Sequence, residues 1–201
     1  MTVSGIVVAA GSGSRFGAMK QHTELDGVPI WQWARRALLD GGVDDVVIVG
    51  PVAGGIPGGE RRRDSVAAGL MGLPEGADFV LVHDAARPLA GPELVGRVID
   101  RVVHGDVDGV VPVVPIRDTL KEVAGSVVVR TIDRSNLVAV QTPQGFRVSA
   151  LIRAHASFEG DATDDASMVE GVGGSIVWVA GDPGNLKLTY PEDLQVMEAL
   201  L

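Results

Sequence analysis

Short apolar runs alternate with segments of helical period along this chain. Gly5 to Ala10 is apolar without a break and opens into glycines, the pattern of a strand buried on both faces of a parallel sheet. Val46–Val49, Phe79–Val82, Gly109–Val113 and Ile176–Val179 repeat that pattern. Between them apolar positions recur three and four apart. Pro29 to Asp40 places Ile30, Trp33, Ala34, Ala37 and Leu38 on one helical face and stops at Gly41-Gly42. Further helices are predicted over Val66–Leu73, with Ser65 or Asp64 as cap, over Gly91–Val103 and over Val148–Ser157. Another is expected to start with Thr163 as N-cap, and Pro191 falls at the first position of a last helix. The loop Asp182–Thr189 is expected to feed a short strand. Strands alternating with helices specify an α/β chain with a mostly parallel central sheet.

The pattern changes once, between Pro115 and Thr142. Two β-prone runs, one ending near Lys121 and one holding Val127-Val128-Val129, flank Gly125 and predict a hairpin. Such a hairpin is marginal alone in water, so its expected place is against another subunit. Repeats, low-complexity tracts and linkers are absent from the sequence, and 201 residues suffice for one domain, 1–201, with a full core.

Charge and composition narrow the function. Seventeen Lys and Arg against 26 Asp and Glu leave a net charge of −9. Nucleic acid and anionic membranes ask for a basic face, so neither is an expected partner. Cysteine is absent, which excludes disulfides, thiolate metal sites and a Cys nucleophile. The first apolar run is too short to span a bilayer and lacks the basic flank and cleavage site of a secretion signal, so a soluble cytoplasmic protein is expected. Lysine occurs only at positions 20, 121 and 187 against fourteen Arg, and two of the three sit in motif-like contexts.

The first of those contexts is the loop after the first strand, Ala9-Ala10-Gly11-Ser12-Gly13-Ser14-Arg15-Phe16-Gly17-Ala18-Met19-Lys20. Small residues let successive backbone N–H groups approach an anion, and Arg15 and Lys20 add fixed positive charge. A dinucleotide fingerprint fails, because Phe16 replaces the third glycine and the second strand ends in Gly50 without an acid. A Walker loop fails for want of Gly-Lys-Ser/Thr. A plain glycine-rich turn with a solvated Arg, and a polyphosphate loop of the form Ala-Ala-Gly-x-Gly-x-Arg, both remain open on this stretch alone. Gly58-Gly59 before a capped helix makes a plausible second ligand loop, and the intervening Arg61–Arg63 run reads as solvated for at least two of its members. His83-Asp84-Ala85-Ala86-Arg87-Pro88 follows the third strand, where open α/β sheets bind ligands. Asp84 there suits a Mg²⁺ ion held against substrate phosphates, with an Asx-turn or helix cap as the competing role. His83 reads as structural, and Trp31 and Trp33 as packing.

The ordered set of motifs resembles the 2-C-methyl-D-erythritol 4-phosphate cytidylyltransferase (IspD-type) family. The resemblance is collinear from Ile6 to Leu194. It rests on Ala9–Arg15, Lys20-Gln21, Arg62-x-Asp64-Ser65-Val66 and His83–Pro88. It continues through Arg117-Asp118-Thr119-x-Lys121, Asp133-Arg134, Gln141–Gln144, Thr163–Ser167 and Asn185-x-Lys187-x-Thr189. It implies a three-layer Rossmann-like nucleotidyltransferase fold with a protruding β-hairpin arm. It implies in-line attack of a sugar-alcohol phosphate on the α-phosphorus of CTP, releasing pyrophosphate. By resemblance Arg15, Lys20, Arg134 and Lys187 are catalytic. Ala9, Ala10, Gly11, Ser12, Gly13, Gly59, Ser65, Asp84 and Ala85 bind CTP. Arg87, Thr119, Arg134, Thr142, Thr163 and Lys187 bind the second substrate, and Asp84 holds Mg²⁺. The same resemblance implies a homodimer through residues 115–142. Met19 stands where the family has Pro, the stretch from Arg15 to Lys20 is about two residues short, and a Gly/Pro loop replaces a helix and edge strand between Val49 and Gly58. A sister family acting on ribitol 5-phosphate shares the loop, and a relative that binds nucleotide without turnover is the alternative from another class.

Overall fold

The computed structural model describes residues 1–11, 16, 22–160 and 162–201. Ser12, Gly13, Arg15 and Lys20 therefore lie outside the described residues.

Six strands form one path in the order β11-β6-β10-β5-β1-β4. They are β1 (Val3–Val8), β4 (Asp45–Val49), β5 (Phe79–Asp84), β6 (Gly109–Pro115), β10 (Gln144–Arg147) and β11 (Ile176–Ala180). β1 runs parallel to β4 and β5, and β11 parallel to β6. β10 runs antiparallel between β5 and β6. The short strand β9 (Val138–Val140) pairs antiparallel with the far end of β6.

Strand alternation builds two cores from this one sheet. Val7, Leu81 and Val110 face α1 (Ile30–Asp40) and α3 (Pro92–His104), meeting Ala34, Leu38, Val95 and Val98. Their sequence neighbours Ile6, Val82 and Val111 face α2 (Arg62–Met71), α4 (Val148–Ser157) and α5 (Asp165–Gly171). Three layers follow from this period of two. A smaller third core holds Leu25, Ile30, Leu188 and Met197. It involves the hairpin β2 (Glu24–Leu25) and β3 (Val28–Pro29), and α6 (Glu192–Glu198). The β2–β3 turn has Asp26 and Gly27 at φ 51° and 69°, the pair of positive angles that Asp-Gly serves in a tight hairpin.

β7 (Leu120–Ala124) and β8 (Val127–Ile132) form their own two-stranded sheet around Gly125, where a hairpin is expected. Val123, Val127, Val128 and Val129 are 56–64% exposed on it. No helix among the described residues is long and apolar enough to cross a membrane.

Several local expectations are corrected. Asp164, not Thr163, caps α5, because its carboxylate accepts the Ser167 N–H at 3.0 Å. α2 starts at Arg62, and Asp64 stands inside its first turn, accepting the Arg61 N–H at 3.1 Å. Pro191 is the N-cap of α6 rather than its first helical residue. Residues 186–189 form no strand; Leu188 N–H donates to the Ala86 carbonyl at 2.7 Å.

Candidate active site

Asp84 ends β5 with its carboxylate 10% exposed. Lys187 Nζ donates to Oδ2 at 2.6 Å and Arg62 Nε to Oδ1 at 3.0 Å. Burial pushes this carboxyl pKa up, but Arg62 and then Lys187 outweigh it and hold the group well below the ordinary range. Asp84 is thus a permanent anion at the strand end where α/β sheets bind ligands.

Arg62 is the first residue of α2, one helical face with buried Val66 and Gly69. Its Nη1 donates to Asp165 Oδ2 at 2.6 Å, so one guanidinium joins β5 to the start of α5. Burial lowers its pKa, and Asp84 and Asp165 together more than restore it. Asp165 presents its other oxygen to His155 Nε2 at 3.7 Å. Of the two cations on Asp84, Lys187 is the more accessible, 42% against 27% exposed. Arg62 is held at both ends, and Lys187 at one.

A second network fixes the turn after β5. His83 is fully buried, and burial brings its pKa down to about 4 against the pull of Asp84, so the ring is neutral at pH 7. Its Nε2 lies 3.1 Å from the Arg87 carbonyl, which can only accept, so Nε2 carries the proton. Nδ1 then accepts from the Thr142 hydroxyl at 2.9 Å, and that oxygen accepts the Asp84 N–H at 3.1 Å. His83 is therefore structural, as expected, and it holds the backbone of Asp84.

The segment carrying Lys187 is stitched to the same place. Gln141 and Asp182 exchange bonds of 2.8 and 3.0 Å, and Asn185 Nδ2 donates to the Thr142 carbonyl at 2.8 Å. Arg87 Nη1 donates to the Asn185 carbonyl at 2.8 Å. These bonds set Lys187 over Asp84.

On the other side of β5, Ala85 N–H donates to the Val8 carbonyl at 3.0 Å and Ala9 N–H to the Val49 carbonyl at 2.7 Å. Ala9 is buried, Ala10 half-buried and Gly11 exposed. Gly59 N–H donates to the buried Ser65 hydroxyl at 3.2 Å. A Cβ on Gly58 would lie 2.6 Å from the Ala10 Cβ and 2.7 Å from Ser65 Oγ, so the two glycine loops approach as only a glycine permits.

Asp84, Ala85, Arg87, Thr142 and Lys187 are thus brought together, and Ala9, Ala10, Gly59 and Ser65 lie beside them. Thr119 and Arg134 are exposed on the hairpin segment, where Arg134 Nη1 donates to the carbonyls of Ile116, Arg117 and Asp118. Thr163 is exposed just before α5. Sequence reading placed Arg62 and Asp165 in motifs of the resemblance but gave neither a role. The available signal for Arg62 was its place four and seven residues before the apolar Val66 and the small Gly69. Among the described residues no three acidic, His or Cys side chains cluster as a metal site.

Known proteins resemble this chain over nearly its whole length. The family model described as 2-C-methyl-D-erythritol 4-phosphate cytidylyltransferase (IspD) matches residues 3–201. A protein of that name from Streptomyces avermitilis is 41% identical over 98% of this chain and 90% of its own length. A bifunctional IspD/IspF enzyme of Nitratidesulfovibrio vulgaris is 41% identical over 96% of this chain, which spans only 57% of that protein. The crystal structure of the Thermus thermophilus cytidylyltransferase superposes with a TM-score of 0.84 at 34% identity, covering 100% of this chain and 98% of the other. With its α/β nucleotidyltransferase fold and its motifs collinear throughout, the chain belongs to the 2-C-methyl-D-erythritol 4-phosphate cytidylyltransferase family.

Proposed function

We propose that the chain transfers the cytidylyl group of CTP to 2-C-methyl-D-erythritol 4-phosphate. The products are 4-diphosphocytidyl-2-C-methyl-D-erythritol and pyrophosphate, a step of the non-mevalonate isoprenoid pathway, and a cytoplasmic location goes with it. The observation that carries this reading is the convergence of Lys187 and Arg62 on buried Asp84 at the ligand-binding end of β5. A phosphate oxygen of the sugar alcohol attacks the α-phosphorus of CTP. The bond from that phosphorus to the bridging oxygen breaks, and its electron pair leaves with pyrophosphate. The nucleophile is already anionic, so the protein's task is to position charge.

In this reading Ala9 to Gly13, Gly59, Ser65, Asp84 and Ala85 surround CTP, and Arg15 and Lys20 stabilise charge on its α-phosphate. Lys187 and Arg134 hold the incoming phosphate, with Arg87, Thr119, Thr142 and Thr163 completing its pocket. Lys187 suits the task because its ammonium is accessible and, among the described residues, paired with Asp84 alone. Arg62 does not touch substrate here; it keeps Asp84 ionised and aimed.

Asp84 fits Mg²⁺. It is a hard oxygen donor that stays ionised, each oxygen has lone-pair capacity beyond the one cation it accepts, and Mg²⁺ commonly uses one carboxylate plus substrate phosphates. When bound, Mg²⁺ neutralises triphosphate charge. The exposed valines of β7–β8 suit burial against a second copy, so the reading includes a homodimer through 115–142 that completes or steadies the phosphate pocket.

The test is pyrophosphate release from CTP with methylerythritol phosphate and, separately, with ribitol 5-phosphate. Release with the first in clear excess is the expected result. Release with ribitol phosphate alone, or CTP binding with no release from either, would overturn the reading.

A further inference from the structure

One donor at the candidate site is idle where an idle donor is costly. Arg62 Nη2 and Arg87 Nε are buried arginine nitrogens with no hydrogen-bond partner among the described residues. Arg87 makes no bond to Asp84; its Nη1 and Nη2 donate to the carbonyls of Asn185 and Val140 at 2.8 and 3.5 Å. Arg62 does bond Asp84, through Nε to Oδ1 at 3.0 Å. A guanidinium is planar with its donors in a fixed fork, and the N–H of Nε and one N–H of Nη2 lie side by side on the same edge. The idle Nη2 therefore belongs to the edge that already grips Asp84. A side-on fork would put it on Oδ2. Lys187 Nζ is there instead, at 2.6 Å.

We propose that Arg62 is a positioning residue that relieves Lys187: when the ammonium leaves Asp84 for the substrate phosphate, Nη2 closes on Oδ2 and both prongs of one guanidinium grip the carboxylate. The inference rests on the role of Lys187 in the cytidylyl transfer proposed above. An ammonium 2.6 Å from a carboxylate has its charge already answered, and it serves a phosphate best once released. Release would otherwise leave a carboxylate only 10% exposed short of a bond, a loss that burial makes costly. The idle donor offsets that loss. The move is small, because the χ2 torsion of an aspartate is soft and Asp84 can turn its Oδ2 while Arg62 stays in place. Arg62 is kept in place by its other end, since Nη1 donates to the fully buried Asp165 at 2.6 Å. Asp165 thus lets Arg62 receive Asp84 without following Lys187.

The test is a crystal structure of Lys187→Ala beside that of wild type, together with the kinetics of Arg62→Lys. Lysine keeps the charge but has a point ammonium in place of the fork. In Lys187→Ala, Nε and Nη2 of Arg62 should both lie within hydrogen-bond distance of Asp84, one on each oxygen. An Nη2 that stays unpaired or pairs elsewhere while solvent takes Oδ2 would overturn the proposal, and so would a wild type already gripped by both prongs. In Arg62→Lys, KM for the sugar phosphate should rise by about tenfold while KM for CTP stays within about twofold, because only the release of Lys187 has become harder. A merely structural loss would move both constants together or lower kcat alone, and either result counts against the exchange. If Arg62→Lys does not fold, the Lys187→Ala structure decides alone. A wild type that releases no pyrophosphate defeats the cytidylyl transfer, and the Lys187→Ala structure then still decides whether Arg62 takes over from Lys187.

Discussion

Acidification should destabilise this protein through His83 before it touches Asp84. The ring is fully buried, neutral and committed at both nitrogens, with its folded pKa near 4. In the unfolded chain a histidine titrates near 6.5. Between these values the unfolded state takes a proton that the folded state refuses. Stability is fully present above about pH 6.5, falls as the pH drops, and stops falling on this account below about pH 4. The gap corresponds to about 3 kcal/mol in all, and about 2 kcal/mol of it is lost between pH 7.5 and pH 5. Protonation at Nδ1 also removes the acceptor for the Thr142 hydroxyl, whose oxygen receives the Asp84 N–H, so the turn loosens where the site is built. The assay is urea unfolding at pH steps from 8 to 4.5, for wild type and His83→Gln. The variant is less stable at pH 8 but should show a flatter profile, and the difference between the two slopes isolates this group from the other histidines. Parallel profiles would refute the reasoning.

Three further outcomes follow from the same geometry. Arg62→Met leaves buried Asp165 without its cation and Asp84 with Lys187 alone, and should cost about 3–5 kcal/mol, read by denaturant unfolding, with a shallower loss of stability in acid because Asp84 gives up much of its depressed pKa. Asp84→Asn should blunt activation by Mg²⁺ in a metal titration of turnover, and undiminished wild-type activity in excess chelator would count against the metal. Val128→Asp should yield monomers by sedimentation and lower kcat/KM for the sugar phosphate more than for CTP; a wild type that is monomeric at micromolar concentration and fully active would contradict the dimer.

The strands that are buried on both faces were plain in the apolar pattern, because burial itself writes the run. β10 was not. Gln144-Gly145-Phe146-Arg147 has one large apolar residue and weak strand propensity, and it is a strand because β5 and β6 bond it from both sides. Gly145 is part of the reason, since a Cβ there would stand 2.8 Å from Val98 Cγ1. The β2–β3 hairpin did carry a local signal, Asp26-Gly27, which went unused. In the site, Asp84 and Lys187 were legible as motif residues. Arg62 was legible as a motif residue by resemblance but its role was not, because that role depends on a partner 103 positions away, Asp165, and no local pattern encodes that distance. The Thr163–Asp164–Asp165 stretch hid its roles for the same reason: the first is exposed, the second caps and the third is the buried counterion.

The arm leaves and rejoins the body at one point, since Pro115 of β6 sits directly opposite Val138 of β9. Opposed residues of an antiparallel pair are only about 5 Å apart, a gap that a tight turn closes. Everything from Ile116 to Leu137 is therefore a cassette on a closed frame: it can lengthen, shorten or exchange its sequence while the strands on either side keep their register. Evolution could thus alter the hairpin without renegotiating the sheet, and an engineer could graft a different one at the same seam.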